Sequence, residues 1–359
     1  MNLNFSYSYN SDLWQYLSTT SKTVVMYGMG NGADKILAIC EKYGITVADF
    51  FASDGFVRGH SFHGKVVLSY SQIKEKYGAE NVIVLLSFAS SLPDVLENIY
   101  RIASECELYA PDVPVCGDNL FTLEFYKENL EKIFAVRELL ADELSVKIYD
   151  NVIAYKLTGD IKHLRDAESS KEEAYSLLGA ESFSSIADLG AYNGDTVREV
   201  MAISKNLSVA YAFEPDRRSF RKLSDFCATV TGSPEIYPIN AAAWCEDTEI
   251  GFGDEGNRNS GICAKAKTVN VTARTLDGVL DGKSIDYIKY DVEGAEKEAI
   301  IGCENTILSH RPKLLISAYH RSEDIFELPL QIHSLLPDYK LYYRRHPYIP
   351  AWDLNLLCI

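Results

Sequence analysis

The sequence predicts an α/β protein built on mostly parallel sheets, and three observations carry that reading. Short apolar runs of strand length alternate along the chain with segments of helical periodicity. Some runs, such as Asn81-Val-Ile-Val-Leu-Leu86, are apolar at almost every position, as buried strands are. Glycine turns and carboxylates stand where several runs end, as in Asp188-Leu-Gly-Ala-Tyr-Asn-Gly-Asp195, Phe213-Glu-Pro-Asp216 and Tyr290-Asp291. At 359 residues the chain is long for one core. Three parts are expected: a small α/β domain over 1–118, a helical connector over 119–178 and a larger α/β domain over 179–359.

The first part opens with a short helix around Ser11-Asp-Leu-Trp-Gln-Tyr-Leu17. Thr23-Val-Val-Met-Tyr27 is a strand, Gly28-Met-Gly-Asn-Gly-Ala33 a turn, and Lys35 to Tyr43 a helix. Ile45 to Phe51 is the next strand, with Asp54 beyond its end. This is a Rossmann-type βαβ pattern. Gly28, Gly30 and Asp54 either bind a nucleotide or nucleotide-sugar or simply turn the chain, and a lone GxGxxA favours the turn. Val66 to Leu68, Asn81 to Leu86 and Cys106 to Tyr109 supply further strands, with a helix from Pro93. His60 and His63 read as solvated loop residues. From Asn119 the pattern becomes helical, and Phe121, Leu123, Phe125, Tyr126, Leu130, Ile133, Phe134, Val136 and Leu139 recur at three and four residues as a packing stripe.

In the third part, Ile186 to Leu189 is a strand that breaks at Gly190 and Gly194 before a helix from Thr196. Glycines there let the backbone approach a ligand, and the free N–H groups of a helix start bind polar groups. Glu214 ends the next strand, where a carboxylate can accept both hydroxyls of a ribose. With no lysine in the loop and a glycine spacing that is not the dinucleotide one, an adenosine without phosphates fits better than ATP or NAD. The third strand leads to Asn240-Ala-Ala-Ala-Trp244, placed to wall an adenine, so Ala242 joins the candidate cofactor-binding residues Asp188, Gly190, Asn193, Asp195 and Glu214. Gly253 to Gly261 reads as a loop near the site, and Val269 to Asp277 as a returning strand. Ile285 to Tyr290 ends on Asp291 and Glu293, and Pro312 to Ala318 delivers His320 to the same edge. Tyr339 to His346 and Asp353 to Ile359 are two short antiparallel strands.

Asp188-Leu-Gly-Ala-Tyr-Asn-Gly-Asp-Thr196, Phe213-Glu-Pro215, Thr275-Leu-Asp277, Ile285 to Glu296 and Ser317-Ala-Tyr-His320 together resemble the FkbM family of S-adenosylmethionine-dependent methyltransferases, over about residues 150–359. The resemblance implies a class I methyltransferase fold, a seven-stranded, mostly parallel sheet with its last strand antiparallel, and methyl transfer to a hydroxyl of a sugar, glycan precursor or secondary metabolite. It also implies that Gly190, Asn193 and Asp195 hold the methionine end of S-adenosylmethionine and Glu214 its ribose. Asp188 would brace the loop or reach the cofactor amine, and Asp291 would flank the reacting methyl. Tyr192 departs from the family pattern, where a smaller residue is common. Transfer to a hydroxyl needs a base or a metal. His320 is the candidate base, since its ordinary pKa is near neutrality, with Asp291 or Glu293 next. The same three side chains would also suit a divalent ion.

The formal net charge of −16 argues against nucleic acid and against a basic membrane-surface patch. Arg344, Arg345 and His346 form a basic cluster that either greets an anionic acceptor or ends an exposed strand. No apolar run approaches the ~20 residues needed to cross a bilayer. The eight cysteines are scattered, and Met1 to Tyr9 lacks the pattern of a secretory leader, so reduced thiols and the cytoplasm are expected. The partner is a small-molecule or glycan acceptor, and homo-oligomerisation is left open. Two rivals stand beside this reading. One is a non-catalytic nucleotide-binding or scaffolding module with a methyltransferase-like fold, and the other a nucleotide-sugar-modifying enzyme that uses the amino-terminal domain.

Overall fold

The computed structural model describes residues 9–253 and 268–359. The glycine-rich loop read at 253–261 falls, beyond Gly253, outside them. Two parallel-type sheets make up the framework. In the first, β1 (Thr23–Tyr27), β2 (Val47–Ala52), β3 (Leu68–Ser69), β4 (Val82–Leu86) and β5 (Glu107–Tyr109) lie in the order β3-β2-β1-β4-β5, every pair parallel. β4 is buried at all five positions, which is why its sequence lacks the alternation of a one-sided strand.

The short helix Leu13–Thr19 begins where Asp12 accepts the Gln15 N–H at 2.9 Å, with the Gln15 side chain returning to the Asp12 backbone in a capping box. The other Asp12 oxygen accepts the Leu123 N–H at 2.8 Å, so one buried carboxylate secures two helix starts far apart in sequence. Leu123 opens the connector, a run of helices at Leu123–Glu128, Leu130–Leu139, Glu143–Thr158, Ile161–Asp166 and Lys171–Leu178. Of the stripe read there, Phe121, Leu123, Tyr126, Ile133 and Val136 are buried in a core that also contains Val25 and Val84 of the first sheet and Ile316 and Leu356 of the second. The helix Glu143–Thr158 joins the two sheets directly. Its Tyr149 stacks on Tyr343 at 5.6 Å, while Lys156 pairs with Asp112 at 3.0 Å.

The second sheet contains β6 (Ser185–Leu189), β7 (Val209–Phe213), β8 (Glu235–Ile239), β9 (Tyr287–Tyr290), β10 (Lys313–Ser317), β11 (Leu341–Arg345) and β12 (Leu354–Cys358), in the order β8-β7-β6-β9-β10-β12-β11. All neighbours are parallel except those of β12, which runs antiparallel between β10 and β11. A small sheet of Ala242–Ala243, Thr248–Gly253 and Thr268–Arg274 lies beyond β8 in the chain.

The basic cluster on β11 is neither exposed nor available to an anion, which corrects both sequence readings. Arg344 and Arg345 are buried. Arg344 binds Asp142 at 2.7 Å, Glu173 at 2.8 Å and the Ser145 hydroxyl at 2.9 Å, all on the connector. Arg345 donates to the carbonyls of Leu164 and Tyr348, and the His346 ring faces the Ser169 carbonyl at 3.1 Å. Such cations are stable in the interior only because each is so partnered.

Candidate active site

In the second sheet the chain first builds outward from β6 through β7 to β8, then returns to add β9 on the other side of β6. The carboxyl ends of β6 and β9 therefore flank a switch point, the natural crevice of an open α/β sheet. The approach is close. Gly190, just past β6, has φ +95°, and a Cβ there would lie 1.9 Å from the Asp291 carbonyl oxygen, so only glycine lets the two strand ends meet.

A cavity of about 390 Å³ runs along this edge. The β7 and β8 side contributes Glu214, Asp216 and Ala242; the centre contributes Gly190, Asp195, Lys289 and Asp291; the β10 and β12 side contributes His320 and Trp352. Three of its lining residues, Tyr192, Glu293 and Asp353, are non-glycine residues with φ of 46°, 54° and 60°. Backbone held in that region costs free energy, and such residues gather where a side chain must be aimed.

Glu214 is buried and accepts the N–H groups of Tyr192 and Asp216, each at 2.8 Å. Burial pushes its pKa up to about 7 despite those two bonds. Tyr192 thus fits the loop through its backbone, and its unusual size does not disturb the turn. Asp188 is fully buried, and neither of its oxygens accepts a hydrogen bond. Burial lifts its pKa to about 6, against the pull of Lys289 at 3.8 Å. Lys289 lies nearer to Asp291, at 3.3 Å. Burial opposes the charge of this lysine, but Asp291, then Asp188 and Asp195, outweigh it and hold the ammonium well above its ordinary range.

His320 is buried among carboxylates. Nδ1 lies 2.9 Å from Glu296, and Nε2 lies 3.5 Å from Asp291 and 3.6 Å from Glu293. Burial favours the neutral ring, but Glu296 first, then Glu293 and Asp291, raise its pKa to about 10. That direction of shift argues against the ring as a base in the ligand-free protein. A ring that keeps its proton to that pH is an imidazolium at neutrality and has no lone pair to offer. Asp291 is the opposite case. Burial alone would raise its pKa, but Lys289 and His320 bring it below the ordinary carboxylate range, and Tyr319 donates to it at 3.3 Å. Among the described residues no three His, Cys, Asp or Glu side chains are grouped to hold a metal ion, and the divalent ion considered for Asp291, Glu293 and His320 is not supported. The histidine nitrogens there face carboxylates as an ion pair.

Asp188, Gly190, Asp195, Glu214, Ala242, Asp291, Glu293 and His320 are thus brought to one edge. Asn193 is turned aside, where its side chain accepts from Arg198 at 3.3 Å, and Trp244 does not wall the cavity. The sequence reading missed Lys289, Glu296, Tyr319 and Trp352. A lysine inside the apolar run of β9 was the one signal that pointed to the first of these.

In the first sheet, the Gly28 N–H closes the turn on the Phe51 carbonyl, and Asp54 is occupied by the Ser71 N–H and hydroxyl at 3.0 and 2.9 Å. Tyr70-Ser-Gln-Ile-Lys74 has the spacing of a hydride-transfer pair, which the sequence reading also missed. Tyr70 is buried with its hydroxyl toward Cys106, and Lys74 is paired with Glu105 at 2.7 Å. His63 faces Asp34 at 2.7 Å, on the surface.

The strand order with one antiparallel insertion, together with a cleft at the β6/β9 switch point, defines a class I methyltransferase fold. Residues 188–345 match the family model described as the methyltransferase FkbM domain. The fold of nearly the whole chain recurs in methyltransferase FkbM from Methylobacillus flagellatus KT, with a TM-score of 0.72 at 20% identity over 95% of this chain and 90% of that one. An rRNA methylase from Streptococcus thermophilus aligns over 52% of this chain and 93% of its own, at 14% identity and a TM-score of 0.33. Fibrillarin from Aeropyrum pernix, solved with S-adenosyl-L-methionine, aligns over 53% of this chain and 74% of its own, at 13% identity and a TM-score of 0.32. No curated protein matches the chain in sequence.

Proposed function

We propose that the chain is an S-adenosylmethionine-dependent O-methyltransferase that acts on a hydroxyl of a sugar, glycan precursor or related small molecule. The observation that carries this reading is Glu214, a buried carboxylate at the tip of β7, fixed by two backbone N–H groups and opening on the cavity. Its remaining lone pairs suit the two hydroxyls of a ribose, and Ala242 beyond it leaves room for a flat base.

The residues fit a sulfonium nucleoside for two further reasons. Asp188 lies buried beneath the cavity floor beside Lys289, at 3.8 Å, and adds negative charge under the site. Carboxylates also outnumber lysines around the cavity, which favours a cationic guest. Bound there, such a donor supplies an electrophilic methyl group.

The chain's own residues then orient the acceptor oxygen behind it, which is the main requirement of an in-line displacement. Asp291 takes up the single proton of the acceptor hydroxyl as the oxygen gains the methyl group, and Glu293 beside it helps to receive that hydroxyl. Lys289 and the imidazolium of His320 keep Asp291 ionised and fixed in place. Glu296 anchors His320 from behind and so acts as a positioning residue.

S-adenosylhomocysteine is expected to raise the melting temperature of the parent protein, and Glu214→Ala to abolish the rise. No shift in the parent would refute donor binding, and with it the choice of an enzyme over a non-catalytic module. Asp291→Asn is expected to keep the shift and to lower turnover by roughly 10²-fold or more on the first acceptor found. Full turnover in that variant would remove Asp291 from the chemistry.

A further inference from the structure

We propose that the acceptor subsite is built jointly by the two halves of the chain, with Ser91 and Val115 from the first half and Trp352 from the second selecting an uncharged, hydroxyl-bearing ring. The inference deepens the methyltransferase reading and rests on it.

Ser91 and Val115 line the same cavity as Asp291 and Glu293. Neither approaches it by chance. Ser90 and Ile349 exchange backbone hydrogen bonds of 2.9 and 3.0 Å, which joins the loop after β4 to the segment bearing Tyr348 and Trp352. Beside Val115, the Cys116 N–H donates to the His320 carbonyl at 2.9 Å, and its thiol donates to the Glu293 carbonyl at 3.0 Å. Gly294 completes the fit, since a Cβ there would lie 2.8 Å from that of Cys116. The first half of the molecule is therefore seated against the backbone that holds Glu293 and His320. A structural partner remote from the chemistry would have no such contacts.

Facing these loops is a series of aromatic rings. Tyr348 and Trp352 lie 5.7 Å apart, and Trp352 and Tyr319 6.4 Å apart in a near-parallel arrangement. The series ends at the Tyr319 hydroxyl, which donates to Asp291. A ring with an apolar C–H face can lie on such a surface while its hydroxyls reach the carboxylates of Asp291, Glu293 and Asp353.

Charge then decides between acceptors. Both lysines that line the cavity already have partners, Lys171 with Glu199 at 3.1 Å and Lys289 with Asp291 at 3.3 Å. The imidazolium of His320 is surrounded by three carboxylates, and the His346 ring faces the Ser169 carbonyl. Among the described lining residues no cation is left for a phosphate or carboxylate on the acceptor, which would instead meet like charges. A nucleotide-linked or acidic sugar is thereby disfavoured, and a neutral glycoside is accommodated.

The test measures labelled methyl transfer to neutral methyl glycosides, to the matching uronic acids and sugar phosphates, and to UDP-glucose. Neutral glycosides are expected to be preferred by about tenfold or more. Ser91→Trp and Val115→Trp are each expected to raise the acceptor KM about tenfold with an unchanged melting shift on S-adenosylhomocysteine. That shift also reports that the variants fold, and Val115→Ala provides a milder change of the same wall. Trp352→Ala is expected to raise KM, with Trp352→Phe recovering most of the loss. Unchanged acceptor kinetics in both Ser91 and Val115 variants would overturn the joint subsite. A preference for the anionic acceptors, or no transfer to any neutral glycoside by a protein that binds S-adenosylhomocysteine, would overturn the acceptor class. Absence of the shift in the parent would refute the donor reading beneath both.

Discussion

Glu214 and His320 are both displaced from their ordinary titration ranges, and in each case the sign yields a prediction. The Glu214 pKa rises from 4.5 to about 7, mainly through burial. The ionised form is thus disfavoured in the ligand-free protein, whose stability declines from this source between about pH 4.5 and 7. Donor binding needs the carboxylate, so the S-adenosylhomocysteine melting shift is expected to grow as pH rises from 6 to 8, which a pH series of thermal melts would check. His320 runs the other way. Its pKa rises from 6.5 to about 10, so its stabilising charge is complete below about pH 6.5 and is lost toward pH 10. His320→Gln is expected to cost about 3 kcal/mol at pH 6, the order of breaking a buried ion pair, and much less near pH 10. Equal costs at both pH values would refute the imidazolium. The carboxylates at the strand ends were legible in the sequence because turn chemistry marks their position. The proton on His320 was not, because Glu296 and Asp291 reach it only through the fold.

Gly190 and Gly30 look alike in sequence, each following a strand and opening a turn, but their surroundings differ. A Cβ at Gly190 strikes the Asp291 backbone at 1.9 Å, whereas one at Gly30 meets nothing within 4 Å. Gly190→Ala is expected to force β6 and β9 apart at their tips and to abolish the S-adenosylhomocysteine shift. Gly30→Ala, at φ +98° and ψ −160°, is expected to cost about 1–3 kcal/mol of stability through backbone strain and to leave the shift intact. Paired melts of the two variants would test the contrast. The strands themselves could be read from apolar runs, since β4 and β6 are buried at every position. The insertion of β12 between β10 and β11 could not. Sheet order is set by which edges meet in space, and no local pattern in Leu354–Cys358 encodes it.

The two sheets share one apolar core, continued through the connector helix Glu143–Thr158. A single cooperative unfolding transition is therefore expected, with calorimetric and van't Hoff enthalpies in agreement; two resolved transitions would show that the halves fold independently. Composition and length suggested separate domains, and the sequence concealed the connection because Asp12, Lys156 and Arg344 are all ordinary surface residue types. Only the fold reveals that each spans two elements. The backbone at Tyr192, Glu293 and Asp353 also bears on how the protein could be altered. Glycine at any of the three would relax the main chain, but it would offset that gain by freeing the unfolded chain and would remove a side chain that lines the cleft. A search for hardier variants would therefore gain little at the rim of this pocket and would put catalysis at risk there.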